Sequence, residues 1–210
     1  LDNRRPLKTR GARWAGALAN ALGTAKVSPD LISLMSVAVA ALGATLLLVS
    51  GVTEGGMRAA LLIGAAVAVQ LRLLCNMIDG MVAVEHGLGG PNGPIWNELP
   101  DRIADALFLA AAGYACNAEW LGWLAAVLAV LTAYVRELGR GLGQPADFSG
   151  PMAKPQRMAA LTLACLVAAA EPLWGWQGKA LLIGLVVIAA GSAPTVARRT
   201  AHLARGLSGR

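Results

Sequence analysis

The chain has 210 residues, 56% of them hydrophobic and 14% charged, with a mean hydropathy of +0.58 and a formal net charge of +6. Soluble domains carry roughly a quarter of their residues as charged side chains, so this composition excludes an ordinary soluble protein and indicates an integral membrane protein of the all-α class. The positive balance is explained by membrane topology and by attraction to anionic headgroups, and no nucleic-acid partner is needed to account for it.

Residues 1–26 form a basic juxtamembrane segment. Within it, "PLKTRGARWAGALANALGTAK" spaces Leu7, Trp14, Leu18 and Leu22 along one helical face, with Lys8, Arg10 and Arg13 elsewhere. This pattern predicts an amphipathic helix lying on the membrane surface; the competing reading is a frayed, solvated tail, because three glycines weaken the helix. The segment lacks a compact apolar core followed by a small-residue cleavage site, so no cleavable signal peptide is expected.

A membrane domain occupies 27–205, with a short tail at 206–210. Six apolar runs, at 29–51, 58–84, 96–118, 120–143, 156–174 and 179–203, are long enough to cross a bilayer, which takes about 20 residues per helix. The third run begins among acids and the sixth contains Pro194. Arg4, Arg5, Lys8, Arg10, Arg13 and Lys26 precede the first span; Arg136, Arg140, Lys154 and Arg157 flank the connection between the fourth and fifth; Arg198, Arg199, Arg205 and Arg210 close the chain. Arg58 and Lys179 alone fall on the other side. The positive-inside rule therefore places both termini in the cytoplasm, and Trp120, Trp123, Trp174 and Trp176 then form an aromatic belt at the far interface.

Cys75, Cys116 and Cys165 show no metal or redox spacing and read as free thiols in the spans. No phosphate-binding glycine loop, nucleophile elbow or internal repeat is present.

The informative stretch is "NMIDGMVAVEHGLGGPNGPIWNELPDRIAD", Asn76 to Asp105. At 100° per residue Arg72, Asn76, Asp79 and Ala83 share one helical face, and Asp101 and Asp105 share another. The second span runs toward the cytoplasm and the third runs back, so these faces can meet just inside the cytoplasmic boundary. Isolated carboxylates there are costly and need a cation. Oxygen ligands without His or Cys favour Mg²⁺, Mn²⁺ or Ca²⁺, and Mg²⁺ characteristically completes its shell with water and substrate phosphate oxygens. A purely structural account pairs Asp79 with Arg72 and Glu98 with Arg102, and leaves Asp101 and Asp105 unexplained.

This stretch resembles the signature of the CDP-alcohol phosphotransferases, D-x-x-D-G-x-x-A-R, a spacer, then G-x-x-x-D-x-x-x-D. Asp79, Gly80, Ala83, Asp101 and Asp105 match it; Asn76 replaces the first Asp, Val84 the Arg and Asn97 the second Gly, and the spacer is longer. "VSPDLISL" at 27–34 is similar to the family's T-P-N-x-I-T segment, and "AYVRELGRGLG" with "SGPMAKPQRMA" is similar to its Y-x-R and G-x-x-x-R segments. The chain looks closest to a bacterial branch with Asn at the first position.

The resemblance implies a six-helix enzyme of the bacterial cytoplasmic membrane that acts in phospholipid biosynthesis. Such enzymes transfer a phosphatidyl or other phospho-alcohol group from a CDP-linked donor such as CDP-diacylglycerol to a small polar alcohol, itself phosphorylated in some cases, with release of CMP. It implies Mg²⁺ or Mn²⁺ held by Asp79 and Asp101 with the Asn76 carbonyl, and Asp105 as general base. Gly80 and Ala83 would face the nucleotide, with Arg72 a replacement for the missing Arg at position 84. Without the first Asp, a two-metal site would be one negative charge short, a charge that Glu98 is placed to supply. Arg136, Lys154 and Arg157 are candidates for binding a phosphate on the acceptor, against a purely topological role. The loop "GQPADFSGPMAKP" at 143–155 is suited to closing over a polar substrate. Small-residue-rich spans and the resemblance together suggest a homodimer. Two other readings stay open: an ion-coupled multi-pass transporter, and an inactive homologue acting as a partner subunit.

Overall fold

Each apolar run folds as a helix, the fifth ending in a 3-10 turn. The computed structural model describes residues 13–176 and 178–208, which form α1 (Arg13–Thr24), α2 (Pro29–Ser50), α3 (Gly55–Glu85), α4 (Gly93–Ala115), α5 (Glu119–Gly141), α6 (Lys154–Ala170), a 3-10 turn (Glu171–Trp174) and α7 (Lys179–Ser208). Local chemistry sets several of these ends. Ser28 caps α2, its Oγ accepting the Leu31 N–H at 3.2 Å, with Pro29 in the first turn and Asp30 beside the positive helix end. Gly93 and Pro94 open α4 three residues before the expected start at 96, so Glu98 is already helical and Pro100 lies inside the helix. Pro100 has no N–H to give to the preceding turn.

Helices α2 to α7 close into a ring in the order α2, α3, α6, α7, α5, α4 and back to α2. Five of them, α2, α3, α5, α6 with its 3-10 turn, and α7, are long and apolar enough to cross a membrane. The expectation of six narrows here: α4 has the length, at 23 residues, but Glu98, Asp101, Arg102 and Asp105 interrupt its apolar run. Its acids are tolerable because Asp101 and Asp105 point into the bundle and are buried.

Packing inside the ring rests on small side chains. Ala40, Ala44, Ala65, Ala68, Ala112 and Ala125 are among the buried residues, around Leu47, Leu62, Phe108 and Leu185, whereas Leu42, Ile63, Val127, Leu163 and Val186 face outward. That inverted distribution suits lipid, where close backbone approach rather than leucine burial drives helix association. Helices α4 and α5 cross backbone to backbone: a Cβ added at Gly122 would lie 2.7 Å from the Leu109 carbonyl oxygen and 2.8 Å from the Gly113 Cα.

Helix α1 packs on α3 through buried Ala15, Ala19 and Gly23, while Trp14 and Leu18 are exposed. The expected apolar face is therefore realised only in part, since α1 docks through its small residues; Leu7, Lys8 and Arg10 lie outside the described residues.

At the end of the ring near the start of α7, Glu171 is fully buried. Its Oε1 accepts the Ala180 N–H at 2.6 Å, and its Oε2 accepts the Gly178 N–H at 2.8 Å and pairs with Arg58 at 3.2 Å. One carboxylate thus satisfies the amino end of α7 and ties α6 to α3. Trp120, Trp123, Trp174 and Trp176, all exposed, lie at this end. Glu171→Ala strands a largely buried cation and two N–H groups, and is expected to cost about 3–5 kcal/mol, read as a large fall in the melting temperature of the detergent-solubilised protein.

Candidate active site

At the opposite end of the ring, the start of α2, the last half of α3, the first half of α4, the end of α5 and the start of α6 converge. The predicted faces of α3 and α4 meet there, although the pairing within them differs from the expected one. Arg72 reaches across to α4 and not along its own helix to Asp79: its Nη2 donates to Asp101 Oδ1 at 2.8 Å and to the Asp101 carbonyl at 3.0 Å, and lies 3.3 Å from Asp105 Oδ1. Asp79 is bound instead by a residue of α2 that sequence reasoning passed over, Ser33, whose Oγ donates to Asp79 Oδ2 at 2.6 Å. The signal was the second hydroxyl of the "VSPDLISL" segment, one turn into α2.

Asp101 is the hub. Besides Arg72, it accepts the Asn76 Nδ2–H on Oδ1 at 2.8 Å, forms an ion pair with Lys154 through Oδ2, and has Arg102 at 3.6 Å. Lys154 Nζ also donates to Asn76 Oδ1 at 3.1 Å. One turn further along α4, Asp105 Oδ2 accepts from Arg157 Nη2 at 2.7 Å. Arg157 also contacts Thr132 Oγ1 and the Met152 carbonyl.

A cavity of about 1410 Å³ opens beside this cluster. Asn76, Asp79, Gly80, Ala83, Asp101, Glu98, Arg136 and Lys154 line it, together with an apolar tract that includes Val67, Leu71, Leu74 and Leu166. Three expected site residues do not. Arg72 has no exposed surface and Asp105 and Arg157 have 1% each. The nucleotide contact expected of Arg72 and the acceptor contact expected of Arg157 are not seen in this arrangement: both guanidiniums face buried carboxylates rather than the cavity, as low-dielectric surroundings favour.

Glu98, expected to supply the charge that Asn76 lacks, is held by arginines instead. Its carboxylate accepts from Arg102 at 3.0 Å and from Arg136 at 2.6 Å, while Arg136 also binds Glu137 at 2.7 Å and lies 5.5 Å from the centre of the Phe148 ring. Val84 is exposed and does not line the cavity. Gly80 does, and a Cβ there would meet no atom within 4 Å. Helix packing therefore does not require glycine at 80.

The loop between α5 and α6 is tied down along α7. Gln144 Nε2 donates to the Gly206 carbonyl at 3.0 Å, Asp147 pairs with His202 at 3.1 Å, Arg199 Nε donates to the Ser149 carbonyl at 2.9 Å, and the Met152 N–H donates to Thr195 Oγ1 at 3.0 Å. Gly150, at φ +118°, passes so close to Thr195 that a Cβ would lie 2.5 Å from its Cγ2. Burial alone would raise the Asp147 carboxyl, but hydrogen bonds from Ser149 and His202 hold it below the usual carboxylate range. Phe148 of this loop lines the cavity.

Among the described residues no three His, Cys, Asp or Glu side chains form a metal-binding group. A hard divalent cation bound by few protein ligands nevertheless fits at Asp79, whose Oδ1 is buried without a hydrogen bond beside the cavity. Mg²⁺ sites of this kind take the rest of their shell from water and phosphate oxygens.

No protein-family model matches the chain. Over 191 residues it is 33% identical to the bifunctional IPC transferase and DIPP synthase of Rubrobacter xylanophilus, an alignment that covers 87% of the chain and 38% of that relative's length. Its fold is shared with Mycobacterium tuberculosis phosphatidylinositol phosphate synthase. The structure of that enzyme with CDP-DAG bound superposes with a TM-score of 0.76 at 21% identity, covering 91% of this chain and 94% of the other. The same enzyme in complex with manganese and citrate gives 0.75, with 90% and 88% covered.

Proposed function

We propose that the chain is a CDP-alcohol phosphotransferase, as its likeness to the Rubrobacter relative and the shared fold support, and that it transfers a phosphatidyl or related phospho-alcohol group from a CDP-linked donor such as CDP-diacylglycerol to a small polar alcohol, releasing CMP. The observation that carries this reading is the make-up of the cavity. Hard oxygen ligands and cations line one part of it and an apolar tract between α3 and α6 lines another, which suits a donor with a charged head and acyl tails. The polar cluster lies at one end of the ring, which favours an enzyme working at a membrane surface over a carrier with a midmembrane site.

In the proposed reaction the acceptor hydroxyl attacks the phosphorus that bears the diacylglycerol. A new P–O bond forms, the bond to the CMP phosphate breaks, and CMP leaves with the electron pair. Asp79 would hold a divalent cation, Mg²⁺ or Mn²⁺, which when bound would neutralise pyrophosphate charge, whereas Asp101 and the Asn76 carbonyl, expected beside it as ligands, are engaged by Arg72 and Lys154. Gly80 and Ala83 let the nucleotide approach the α3 backbone. Arg136 and Arg140 at the rim draw in an anionic acceptor. Asp105 takes the hydroxyl proton, and to do so it must exchange its ion pair with Arg157 for the incoming substrate.

The catalytic unit spans 27–205, with α4 as a sixth span enclosed by its neighbours. It sits in a bacterial cytoplasmic membrane as a homodimer, with α1 on the surface and both termini and the cavity facing the cytoplasm, as the distribution of Lys and Arg supports.

Purified protein incubated with CDP-diacylglycerol and Mg²⁺ against a panel of alcohols is expected to release CMP and to yield a lipid whose mass names the acceptor. Release should stop in EDTA and return with Mg²⁺ or Mn²⁺; undiminished turnover in chelator would refute the metal-assisted reading.

Asp105→Asn should lower CMP release by about 10²–10⁴, the usual contribution of a general base, with donor affinity close to the parent value, whereas Asp101→Asn should lose both. Equal loss of donor affinity in the two variants, measured by calorimetry, would make Asp105 an anchor for Arg72 and Arg157 and remove it from proton transfer.

Gly80→Ala is expected to leave stability unchanged or raise it by up to about 1 kcal/mol, the helix-propensity gain, while weakening donor binding. Donor affinity equal to the parent's would exclude close contact at Gly80.

A further inference from the structure

Asn76, Lys154 and Asp101 form a closed triangle. The amide donates to Asp101 Oδ1 at 2.8 Å, its carbonyl accepts from Lys154 Nζ at 3.1 Å, and the ammonium pairs with Asp101 Oδ2. The neighbours dictate this orientation of the amide, because a reversed Asn76 would set its NH₂ against the ammonium and its oxygen against the carboxylate. An aspartate at 76 could not make the same contact: two carboxylates at that separation repel and require a cation between them.

The charges balance in a specific way. An aspartate together with a divalent cation contributes one net positive charge, and so does an asparagine together with a lysine ammonium. Lys154 is placed to play that part. It lines the cavity with 18% of its side chain exposed, and of its three N–H donors two are directed at Asn76 and Asp101, leaving the third for a ligand. On the far side of Asn76 along α3 the situation is reversed. Asp79, 4% exposed, gives one oxygen to Ser33, while the other is buried beside the cavity without a partner.

We propose that this chain works with one divalent cation per site, held at Asp79, and that the Lys154 ammonium is a built-in second cation on the Asn76–Asp101 side that contacts the pyrophosphate of the donor. The proposal rests on the reading of the cavity as a CDP-donor site. It makes Lys154 a residue of the donor pocket, and it explains how a neutral residue at 76 is compatible with activity without recruiting Glu98.

The test counts metal in the absence of donor. Mn²⁺ titrated into the purified full chain and read by the electron paramagnetic resonance of the free ion is expected to give one bound Mn²⁺ per chain for the parent and for Lys154→Met, and two for Asn76→Asp combined with Lys154→Met. In CMP release from CDP-diacylglycerol with Mn²⁺, Lys154→Met should lose about 100-fold, comparable to removing one preorganised electrostatic contact. The double variant should recover at least about tenfold of that loss, because the added carboxylate admits a metal where the ammonium was. A lysine with only a structural role would not be rescued by a new negative charge. Lys154→Arg, which keeps the cation, should stay within about tenfold of the parent and serves if the double variant does not fold. Two Mn²⁺ bound to a parent chain that releases CMP would overturn the proposal and leave the transferase reading intact. No bound Mn²⁺ in a parent that releases CMP would overturn the proposal and leave the transferase reading intact. A parent that releases no CMP with any alcohol would overturn the transferase reading and, with it, the donor contact assigned to Lys154. A double variant with one Mn²⁺ and no recovery, or Lys154→Arg as impaired as Lys154→Met, would also overturn the proposal.

Discussion

Everything at the polar end of this molecule depends on the pairing of Arg72 with two acids of a neighbouring helix. A guanidinium without exposed surface in the middle of α3 is expensive to desolvate, and so are Asp101 and Asp105 on α4; each is tolerable only because the other is there. Arg157 on α6 completes the arrangement by taking the other Asp105 oxygen. Three of the helices that build the cavity, α3, α4 and α6, are thus held in register by charge as well as by packing. Removing Arg72 would leave Asp101 to Lys154 and Asp105 to Arg157, each buried carboxylate with one counter-charge fewer.

The rest of the fold solves a different problem. Lipid offers little reward for burying leucine, so the ring closes through alanines and glycines that let helix axes approach, while the larger aliphatic side chains face outward. The two ends of the ring then diverge in chemistry. At one, Glu171 is saturated by Arg58 and by two backbone N–H groups. At the other, Asp79 retains an oxygen without a partner beside an open cavity. The Asp79 oxygen differs from those of Glu171 in bordering a cavity that a ligand can enter.

The loop between α5 and α6 joins the two themes. Its Gly and Pro content suits it to closing over a substrate, but four side-chain contacts pin it along α7, so that Phe148 lines the cavity from a supported position. The cavity wall on that side is prearranged, and any opening of the loop must break contacts with α7 first.

Local periodicity and the solvent made the helices and the polar stripes legible in the sequence. Twenty-residue apolar runs in a chain this poor in charge have to be helices, because only a helix satisfies its own backbone in lipid, and the spacing of Arg72, Asn76, Asp79, Ala83, Asp101 and Asp105 placed them on two facing stripes. The acids at the end of α3 and the start of α4 were legible as a site for the same reason. Which acid meets which cation was not legible, because ion pairing is decided by contacts between helices far apart in the chain. Arg72 passes over Asp79, four polar neighbours converge on Asp101 from three helices, and Glu98 goes to Arg136 across 38 positions of sequence. The role of Lys154 beside Asn76, 78 residues away, belongs to the same class. Spacing along a helix tells which side chains share a face, and only the packing of one helix on another determines how their charges are compensated.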